Sequence, residues 1–322
     1  MKKIFVIILL LLFTAVSGCI SVDSKTHEVP PEDGLRIVFV TPLYNHPIWD
    51  AARDGFEQAA KDFNFGPEYL GPQYIDPDEM VNLIDKAVAS KVDGVITMPI
   101  DPAPMREAFA KCDEAGVPIV FVGSVDPESK SLAYVGTDTY DLGRTGAAAL
   151  MEKFNGEPIK AVIMQSTRDA SFAIETRDGY LEAFSDYTDF EMVVNDDCNS
   201  DMVIAMRKYE SIFRDHPEIN TVIGVCGEAG PAAARVVENM GIADDITIIA
   251  IDDIDEIKDM IEQGEIWGTM SQNYYQIGYK SAQILCEYLR SGKTPENYSY
   301  YTGSTFVDIS NIETYMNEQI AN

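Results

Sequence analysis

Four side chains that could contact a polar ligand are crowded into the segment "TPLYNHPIWDAARDG", residues 41–55. They are Tyr44, Asn45, His46 and Trp49. An amide and an imidazole exchange hydrogen bonds with polar groups, and an indole or phenol ring offers a flat apolar face. The segment directly follows the apolar run "LRIVFV", where a buried strand returns the chain to solvent. The four residues therefore either close off the core or form one wall of a binding site.

The elements that must position these residues alternate regularly along the chain. Strand-like runs read "LRIVFV", "DGVITMPI", "VPIVFVG", "SLAYVG", "IKAVIMQ", "FEMVVN", "NTVIGVC", "ITIIAID" and "IWGTMSQ". Helical patterns are predicted at 48–63, 78–90, 103–115, 140–154, 173–185, 201–215, 230–240 and 274–291. Strands that are apolar on both faces and separated by helices predict parallel sheets built from βαβ units, the α/β class.

Two stretches of the sequence resemble each other in layout. Residues 93–126 run strand, polar turn, helix, glycine turn, strand and polar turn, and residues 220–255 repeat that order. The similarity has two readings, because all βαβ units look alike. Duplication of one α/β layer accounts better for the matching lengths and turn positions, and it predicts two similar lobes.

The polar turns that follow the predicted strands are expected to meet in one place. They lie at 43–49, 100–104, 123–126, 166–171, 226–230, 252–255 and 271–275. In open α/β sheets, ligands bind beyond the carboxyl ends of the strands. Two lobes that face each other would direct all of these turns into one shared cleft, and the opening segment would be one of its walls.

The first residues, "MKKIFVIILLLLFTAVSG", have the layout of a secretory signal: two lysines, an apolar run and small residues. The following "VSGC" resembles a bacterial lipobox, which predicts cleavage before Cys19 and lipidation of that thiol. An uncleaved anchor or an ordinary signal are the alternatives. Residues 19–34 are expected to form a tether, and the folded body is predicted to work outside the cytoplasm, attached to the membrane through lipid only.

Composition excludes several kinds of partner and site. The formal net charge is −29 at pH 7, which repels nucleic acid. The chain has five cysteines, none in a CxxC pair, and three histidines, so neither a metal site nor a cofactor is expected. No GxSxG, HExxH or phosphate-cradling glycine loop is found, and we expect the protein not to be an enzyme.

Seven segments between residues 35 and 315 resemble, in order, the type I periplasmic sugar-binding proteins, the ribose- and galactose-binding group that feeds ABC importers. They are "LYNHPIWDAARDGFEQAAKD", "VDGVITMPID", "AGVPIVFVG", "VGTDTYDLGRTGAAAL", "IETRDGYLEAF", "IIAIDDID" and "GTMSQNYYQIGYKSAQIL". The resemblance implies two Rossmann-like lobes with parallel sheets, joined by a hinge of three crossovers. It places 35–137 plus 273–297 in the N-terminal lobe and 138–272 plus 298–322 in the C-terminal lobe, after a signal peptide at 1–18.

The same resemblance implies a set of ligand-binding residues. In the first lobe, Asn45 or His46 and Trp49 match the polar and aromatic positions, and Tyr44 is a further candidate. In the second lobe, Arg177 matches a donor to ring oxygens or hydroxyls and Asp252 matches a hydroxyl acceptor, while Gln272 matches an amide at the last crossover. The guanidinium of Arg177 donates hydrogen bonds, the carboxylate of Asp252 accepts them, and the amide of Gln272 does both. These groups can therefore bind the hydroxyl groups of a ligand.

Each assignment has a structural alternative. Arg177 has acidic neighbours, Glu175 and Asp178, with which it could pair. Asp252 could cap a helix beginning near 254, and Gln272 could tie the hinge backbone.

Four residues, at three places in the chain, depart from the family pattern. Gly123 and Ser124 stand where many relatives have Asp or Asn, and Ser124 is either a ligand contact or a turn residue. Cys198 replaces an aromatic residue and Cys226 an Asn. The two cysteines map to neighbouring walls of the pocket, and they are either paired in a disulfide or free thiols.

The function that the resemblance implies is capture of a sugar or sugar-like polyol and its delivery to an ABC transporter permease by a monomer. A sensor lipoprotein that presents its liganded form to a chemoreceptor or histidine kinase would use the same site. A nucleoside or an autoinducer-2-type ligand is also compatible with the departures from the family pattern.

Overall fold

The computed structural model describes residues 34–168 and 170–321. The predicted signal peptide, the lipidation at Cys19 and all but the last residue of the predicted tether lie outside these residues. No helix within the described ranges has the length and apolar character needed to span a membrane.

The described residues form strands and helices in regular alternation. The strands are β1 (Arg36–Val40), β2 (Gly66–Leu70), β3 (Gly94–Thr97), β4 (Ile119–Val122), β5 (Ala133–Gly136), β6 (Ile159–Gln165), β7 (Phe190–Asp197), β8 (Thr221–Val225), β9 (Thr247–Ile251), β10 (Gly268–Gln272), β11 (Ser299–Tyr301) and β12 (Ser304–Asp308). The helices are α1 (Pro47–Phe63), α2 (Pro77–Ala89), α3 (Pro102–Ala115), α4 (Thr139–Phe154), α5 (Ser171–Phe184), α6 (Met202–Asp215), α7 (Ala229–Met240), α8 (Asp255–Gln263), α9 (Tyr274–Ser291) and α10 (Ile312–Ala321).

The strands make two sheets with the same internal order. The first sheet runs β2-β1-β3-β4-β5-β11 and the second runs β7-β6-β8-β9-β10-β12. Every pairing is parallel except that of β10 with β12. Helices cover both faces of each sheet, so the inner strands β3, β4 and β8 are buried along their whole length. The predicted α/β fold with two parallel-sheet lobes is confirmed.

The chain crosses between the lobes three times. It leaves the first sheet after β5, returns after β10, and crosses again between β11 and β12. The predicted boundary at 297 differs from this pairing at one point, because β11 pairs with β5 of the first sheet. Its three residues, "SYY", carry too little pattern to identify an edge strand from sequence.

Local sequence signals fix most helix ends. Pro47, Pro77 and Pro102 stand at the start of α1, α2 and α3, where a missing N–H costs nothing. Gly116 closes α3 with a positive φ of 71°, a conformation that other residues adopt at a cost. The eight predicted helices accordingly agree with the observed ones to within two residues at each end.

The lobes also share a closely packed pair of helices. In the first lobe, α1 packs on α9, and a Cβ at Gly278 would overlap the carbonyl oxygen of Ala52. In the second lobe, α4 packs on α5, and a Cβ at Gly143 would overlap the carbonyl oxygen of Thr176. Since α1 follows β1 and α5 follows β6, the repeated contact supports the duplication inferred from the sequence.

Candidate functional site

A cleft between the lobes collects the carboxyl ends of strands from both sheets. From the first lobe, its lining includes Leu43 after β1, Met98 after β3 and Gly123 after β4. The second lobe contributes the ends of β6, β8, β9 and β10. The empty space between the lining residues is about 720 Å³, including the part open to solvent.

Four of the predicted site residues line this cleft together: His46 and Trp49 from the first lobe, and Asp252 and Gln272 from the second. The Nε2 of Gln272 donates to Oδ1 of Asp252 at 2.9 Å, so these two side chains orient each other. This bond uses the amide nitrogen of Gln272, and its carbonyl oxygen is of the acceptor type. The structure thus brings the predicted acid, amide, imidazole and indole to one place.

Trp49 serves the core and the cleft at once. Its side chain is 4% exposed, and its ring meets Phe39 and Tyr274 edge to face, with centroids 6.1 and 5.2 Å away. The remaining surface forms part of the cleft lining. The two readings of this residue, core packing and ligand contact, therefore do not exclude each other.

Tyr44 and Asn45 are not among the lining residues. The ring of Tyr44 packs at 5.8 Å from that of Tyr69. The exposed Asn45 donates from Nδ2 to Oε1 of Gln73 at 2.8 Å. Their role in binding remains a prediction.

Arg177 is likewise not among the lining residues. Its Nε and one terminal nitrogen both donate to Oδ1 of Asp178, at 2.9 and 2.6 Å, which is the pairing that the sequence left open as an alternative. The preceding residue, Thr176, does line the cleft. Consecutive helical residues point about 100° apart, so a contact at 176 directs 177 elsewhere. A ligand contact by Arg177 remains a prediction.

Ser124 forms a contact between the lobes beside the cleft. It is buried, and its hydroxyl lies 2.7 Å from that of Ser171, at the start of α5 in the second lobe. Its neighbour Gly123 does line the cleft, with φ of 67°. Ser124 therefore links the two lobes in this structure, and its predicted ligand contact stays a prediction.

Five polar lining residues were not identified from sequence: Thr139, Ser166, Thr176, Ser200 and Glu228. The hydroxyls of Ser166 and Thr176 are buried without a hydrogen-bond partner. A buried polar group without a partner costs free energy, and a ligand hydroxyl would supply that partner. Ser166 and Glu228 belong to two of the predicted polar turns, "STRDAS" and "CGEAG", which was the available signal.

His46 connects the first lobe to the second. It is the N-cap of α1, where Nδ1 accepts from the N–H of Ile48 at 3.3 Å, and Pro47 occupies the next position. This leaves Nε2 to meet Oε1 of Glu228, 3.4 Å away across the cleft. Burial by itself lowers the pKa of His46, but the hydrogen bond and charge of Glu228, with Asp252 and Asp50, outweigh it and raise the pKa.

Asp252 is the most strongly perturbed acid of the site. It is 7% exposed and has a positive φ of 73°, and its buried position raises its pKa to about 7. The hydrogen bond from Gln272 and the charge of His46 act in the opposite direction, whereas Asp253 and Glu228 add to the rise. The carboxyl group is therefore poised to change charge near neutral pH.

The two cysteines at the departures from the family pattern lie side by side. Cys226 lines the cleft, and its sulfur is 3.4 Å from that of Cys198, which is fully buried behind it. Both are free thiols in this structure.

The charges of the lining describe what the cleft can accept. Its acids are Glu228 and Asp252, and no lysine or arginine occurs among the lining residues, all of which lie in the described ranges. Within residues 34–168 and 170–321, no group of three or more His, Cys, Asp or Glu is placed to hold a metal ion. The cleft is suited to a neutral ligand with many hydroxyl groups rather than to an anion.

Residues 37–294 match the family described as the periplasmic binding protein domain. Among curated proteins, the ribose import binding protein of Escherichia coli is 20% identical over 285 residues, which cover 88% of this chain and 92% of that protein. The D-allose-binding periplasmic protein of the same organism is 21% identical over 262 residues, 79% of this chain and 84% of that protein.

Among solved structures, the glucose-galactose binding protein GanP of Geobacillus stearothermophilus superposes with a TM-score of 0.82 at 26% identity, covering 86% of this chain and 98% of that one. A solute-binding protein of an ABC transporter from Agrobacterium vitis, solved with bound D-fucose, gives a TM-score of 0.82 at 22% identity. It covers 88% of this chain and 98% of its own.

Proposed function

This chain belongs to the periplasmic binding protein domain family, and we propose that it captures a sugar or sugar-like polyol in the interlobe cleft for delivery to an ABC importer. Relatives named for ribose, allose and glucose-galactose binding support this class of ligand. They also support a binding role rather than a catalytic one.

The observation that carries the proposal is the origin of the cleft groups in both lobes. His46 and Trp49 approach from the first lobe, while Asp252, Gln272 and Thr176 approach from the second. A ligand favours the closed arrangement only when it contacts both lobes more fully there than in an open one. Groups from both lobes in one cleft support this requirement, and hinge closure around a ligand is the motion that three crossovers permit.

The chemistry of these groups fits hydroxyl-rich rings. Asp252 accepts hydrogen bonds when ionised, Gln272 has a carbonyl oxygen that accepts, and the hydroxyls of Ser166 and Thr176 both donate and accept. Trp49 supplies an apolar surface against the C–H face of a ring. Micromolar binding needs about 8 kcal/mol. A few such hydrogen bonds, those to charge contributing about 1.5–3 kcal/mol each, together with ring burial reach that range.

We also propose the finer features that the sequence predicts: a signal peptide at 1–18, lipidation at Cys19 as the membrane attachment, and a permease as the partner of the liganded body. The support is the layout of the leader and the "VSGC" segment.

A thermal-shift panel on the full chain tests the proposed ligand class. The panel contains D-ribose, D-allose, D-galactose, D-glucose, D-arabinose, D-fucose and adenosine, with D-galacturonate as an anionic comparison. A ligand present at 100 times its Kd adds about 2.7 kcal/mol to the free energy of unfolding. We expect at least one neutral sugar to raise the melting temperature and D-galacturonate to have no effect.

Asp252→Asn is expected to reduce strongly the shift given by the best sugar, because the uncharged amide has one acceptor oxygen where the carboxylate has two. Asp255→Asn is the matched control, since Asp255 lies three residues along the chain and its side chain is 96% exposed. A panel in which no sugar changes the melting temperature would falsify the proposal.

A further inference from the structure

The wall of the cleft contains a pair of thiols at the ends of two strands. Cys198 directly follows β7, and Cys226 directly follows β8. These strands flank β6 in the second sheet, so both chain ends emerge at the same edge. The sulfur atoms are 3.4 Å apart, and the two side chains are 0% and 7% exposed.

Backbone hydrogen bonds hold the two positions firmly. The N–H of Cys198 donates to the carbonyl oxygen of Gln165 at 2.8 Å, and the carbonyl of Cys198 accepts from Asp201 at 3.0 Å. The carbonyl of Cys226 accepts from the N–H of Ala229 at 3.0 Å. A disulfide bond is about 2.0 Å long. The sulfurs therefore need to approach by only about 1.4 Å, a distance that side-chain rotation covers.

We propose that Cys198 and Cys226 are a redox-active pair that forms an intramolecular disulfide in the wall of the cleft, with a small-molecule disulfide as the oxidant. The other buried cysteines have no such arrangement. Cys112 lies on α3 and Cys286 on α9, and they belong to core clusters on opposite sides of the first sheet.

The reaction proceeds by two thiol–disulfide exchanges. Cys226, which lines the cleft, attacks one sulfur of oxidised glutathione, forms a mixed disulfide, and releases one glutathione thiolate that takes up a proton. Cys198 then attacks the sulfur of Cys226 and releases the second glutathione. The two protein thiols lose two electrons and two protons in total, and the oxidant gains both.

The electrostatics of the pair favour the second exchange, in which Cys198 attacks, and slow the first, in which Cys226 attacks. The hydrogen bond shared with Cys226 lowers the pKa of Cys198, although burial acts against it. The same hydrogen bond and burial raise the pKa of Cys226. Cys198 is therefore the thiol that more readily becomes the thiolate needed to resolve a mixed disulfide.

The bond would connect two turns that present cleft residues. Ser200 lies two residues after Cys198, Glu228 lies two residues after Cys226, and both line the cleft. The disulfide would fix the spacing of these turns and so couple oxidation to the shape of one wall. This consequence for ligand binding rests on the proposed function, whereas formation of the bond does not.

The test uses the full chain in a mild detergent, reduced and then exposed to oxidised glutathione at pH 8 without any sugar. Samples are denatured, alkylated and mapped as peptides without reduction. We expect a cross-linked peptide joining residues 198 and 226, with a loss of about 2 Da for two hydrogen atoms, while Cys112 and Cys286 are alkylated. Complete alkylation of Cys198 and Cys226, or a glutathione adduct on Cys226 that never resolves, overturns the proposal.

Thermal unfolding provides a second measurement. The bond closes a loop of 28 residues, and we expect the oxidised form to melt about 5 °C or more above the reduced form. Cys198→Ser should lose this difference, and Cys112→Ser, the control in the first lobe, should retain it. Equal melting temperatures of the oxidised and reduced forms overturn the proposed constraint. Because no sugar is present, a panel without hits would refute the proposed function and leave this result unaffected.

Discussion

The two lobes share one frame and differ in the chemistry that they bring to the cleft. Both sheets have the same strand order, and both lobes carry a helix pair in contact through glycine. The first lobe contributes mainly ring faces and apolar groups to the lining, together with the imidazole of His46. The second contributes two carboxylates, an amide, hydroxyls and a thiol. The scaffold has thus been kept in both copies, while the strand ends have specialised.

The buried acids sharpen this difference. In the first lobe, Asp126 is 1% exposed and accepts from Nε of Arg106 at 2.9 Å and from the hydroxyl of Ser129 at 2.6 Å. In the second lobe, Asp252 receives one amide hydrogen bond and faces the cleft. The first carboxylate is fully occupied by its own lobe, whereas the second keeps acceptor capacity for a ligand.

The largest change in stability is expected at the closely packed helix pairs, the feature in which the two lobes are most alike. Gly278→Ala and Gly143→Ala each force a Cβ against a backbone carbonyl of the neighbouring helix. We expect each to lower the free energy of unfolding by about 3 kcal/mol, the upper end of the usual cost of overpacking. Urea unfolding followed by circular dichroism measures it.

Ala148→Gly is the control for these substitutions, because it exchanges the same two residue types at an exposed position of α4 and should cost only about 1 kcal/mol. If one of the two glycine substitutions left the free energy of unfolding unchanged, the two helix pairs would not be equivalent. The structural similarity of the two lobes would then not extend to their helix packing.

The next prediction compares how the buried acids Asp252 and Asp126 affect stability as the pH changes. Burial raises the pKa of Asp252 from 3.8 to about 7, so its contribution to stability is complete below about pH 4 and is lost as the pH rises through 7. Asp252→Asn should therefore gain stability relative to the wild type between pH 4.5 and pH 8. We expect roughly 2 kcal/mol, half of the ~4 kcal/mol implied by the full shift, because Asp252 lines a cleft that is partly open to solvent.

Asp126→Asn should do the opposite. Burial acts to raise the pKa of Asp126, but hydrogen bonds from Arg106, Ser129 and the backbone of Glu128 outweigh it and lower the pKa. Its contribution is present above the pKa of the unfolded chain and is lost only in stronger acid. We expect a loss of about 2 kcal/mol in urea unfolding at pH 8. The same sign for both substitutions would contradict the proposed contrast.

A smaller effect is expected from the hydroxyls of the second lobe. Thr176→Val removes a buried hydroxyl that has no partner, so the ligand-free protein should keep its stability or gain slightly. Binding of the best sugar should weaken about 10-fold in isothermal titration calorimetry, because one ligand hydroxyl loses its partner. Thr41→Val is the matched control, since Thr41 is buried in the first lobe and is not among the lining residues. Equal losses from both substitutions would argue against a ligand contact at Thr176.

The smallest change in stability is expected at His46 and Glu228, the ion pair that joins the lobes. Glu228→Gln removes the carboxylate beside His46, and the pKa of His46 should fall in an NMR titration. The raised pKa means that the contribution of His46 to stability is complete below pH 6.5 and lost as the pH rises through its folded pKa. We expect this contribution to be about 1 kcal/mol or less. Glu218→Gln, beside His216 on the surface, is the control and should leave the titration of His46 unchanged.

The fold followed from the sequence because its signals are local and repeated. Alternation of apolar strands with helices, prolines at helix starts and glycines at helix ends act over a few residues, and they placed eight helices closely. The strands β2, β11 and β12 were not predicted. "GPEYL" and "SYY" are short edge or near-edge segments without a clear apolar pattern, so their pairing depends on tertiary contacts.

The site was less predictable because it depends on side-chain direction. The turns that meet at the cleft were predicted, but a turn does not specify which of its residues faces inward. Glu228 and Ser166 lay in predicted turns without being chosen. Arg177 was chosen, although it is its neighbour Thr176 that lines the cleft. A rotation of the helix by one residue changes which side chain faces the cleft, and the packing of α5 against α4 sets that rotation.

The three chain crossings, near 137, at 273 and near 302, also limit how the protein can signal its state. Two bodies joined by one flexible link can turn about any axis, whereas three links along one boundary leave essentially a single rocking coordinate. The orientation of every surface patch is then set by one angle. Under the proposed closure, a partner that touched both bodies would read the same angle wherever it bound.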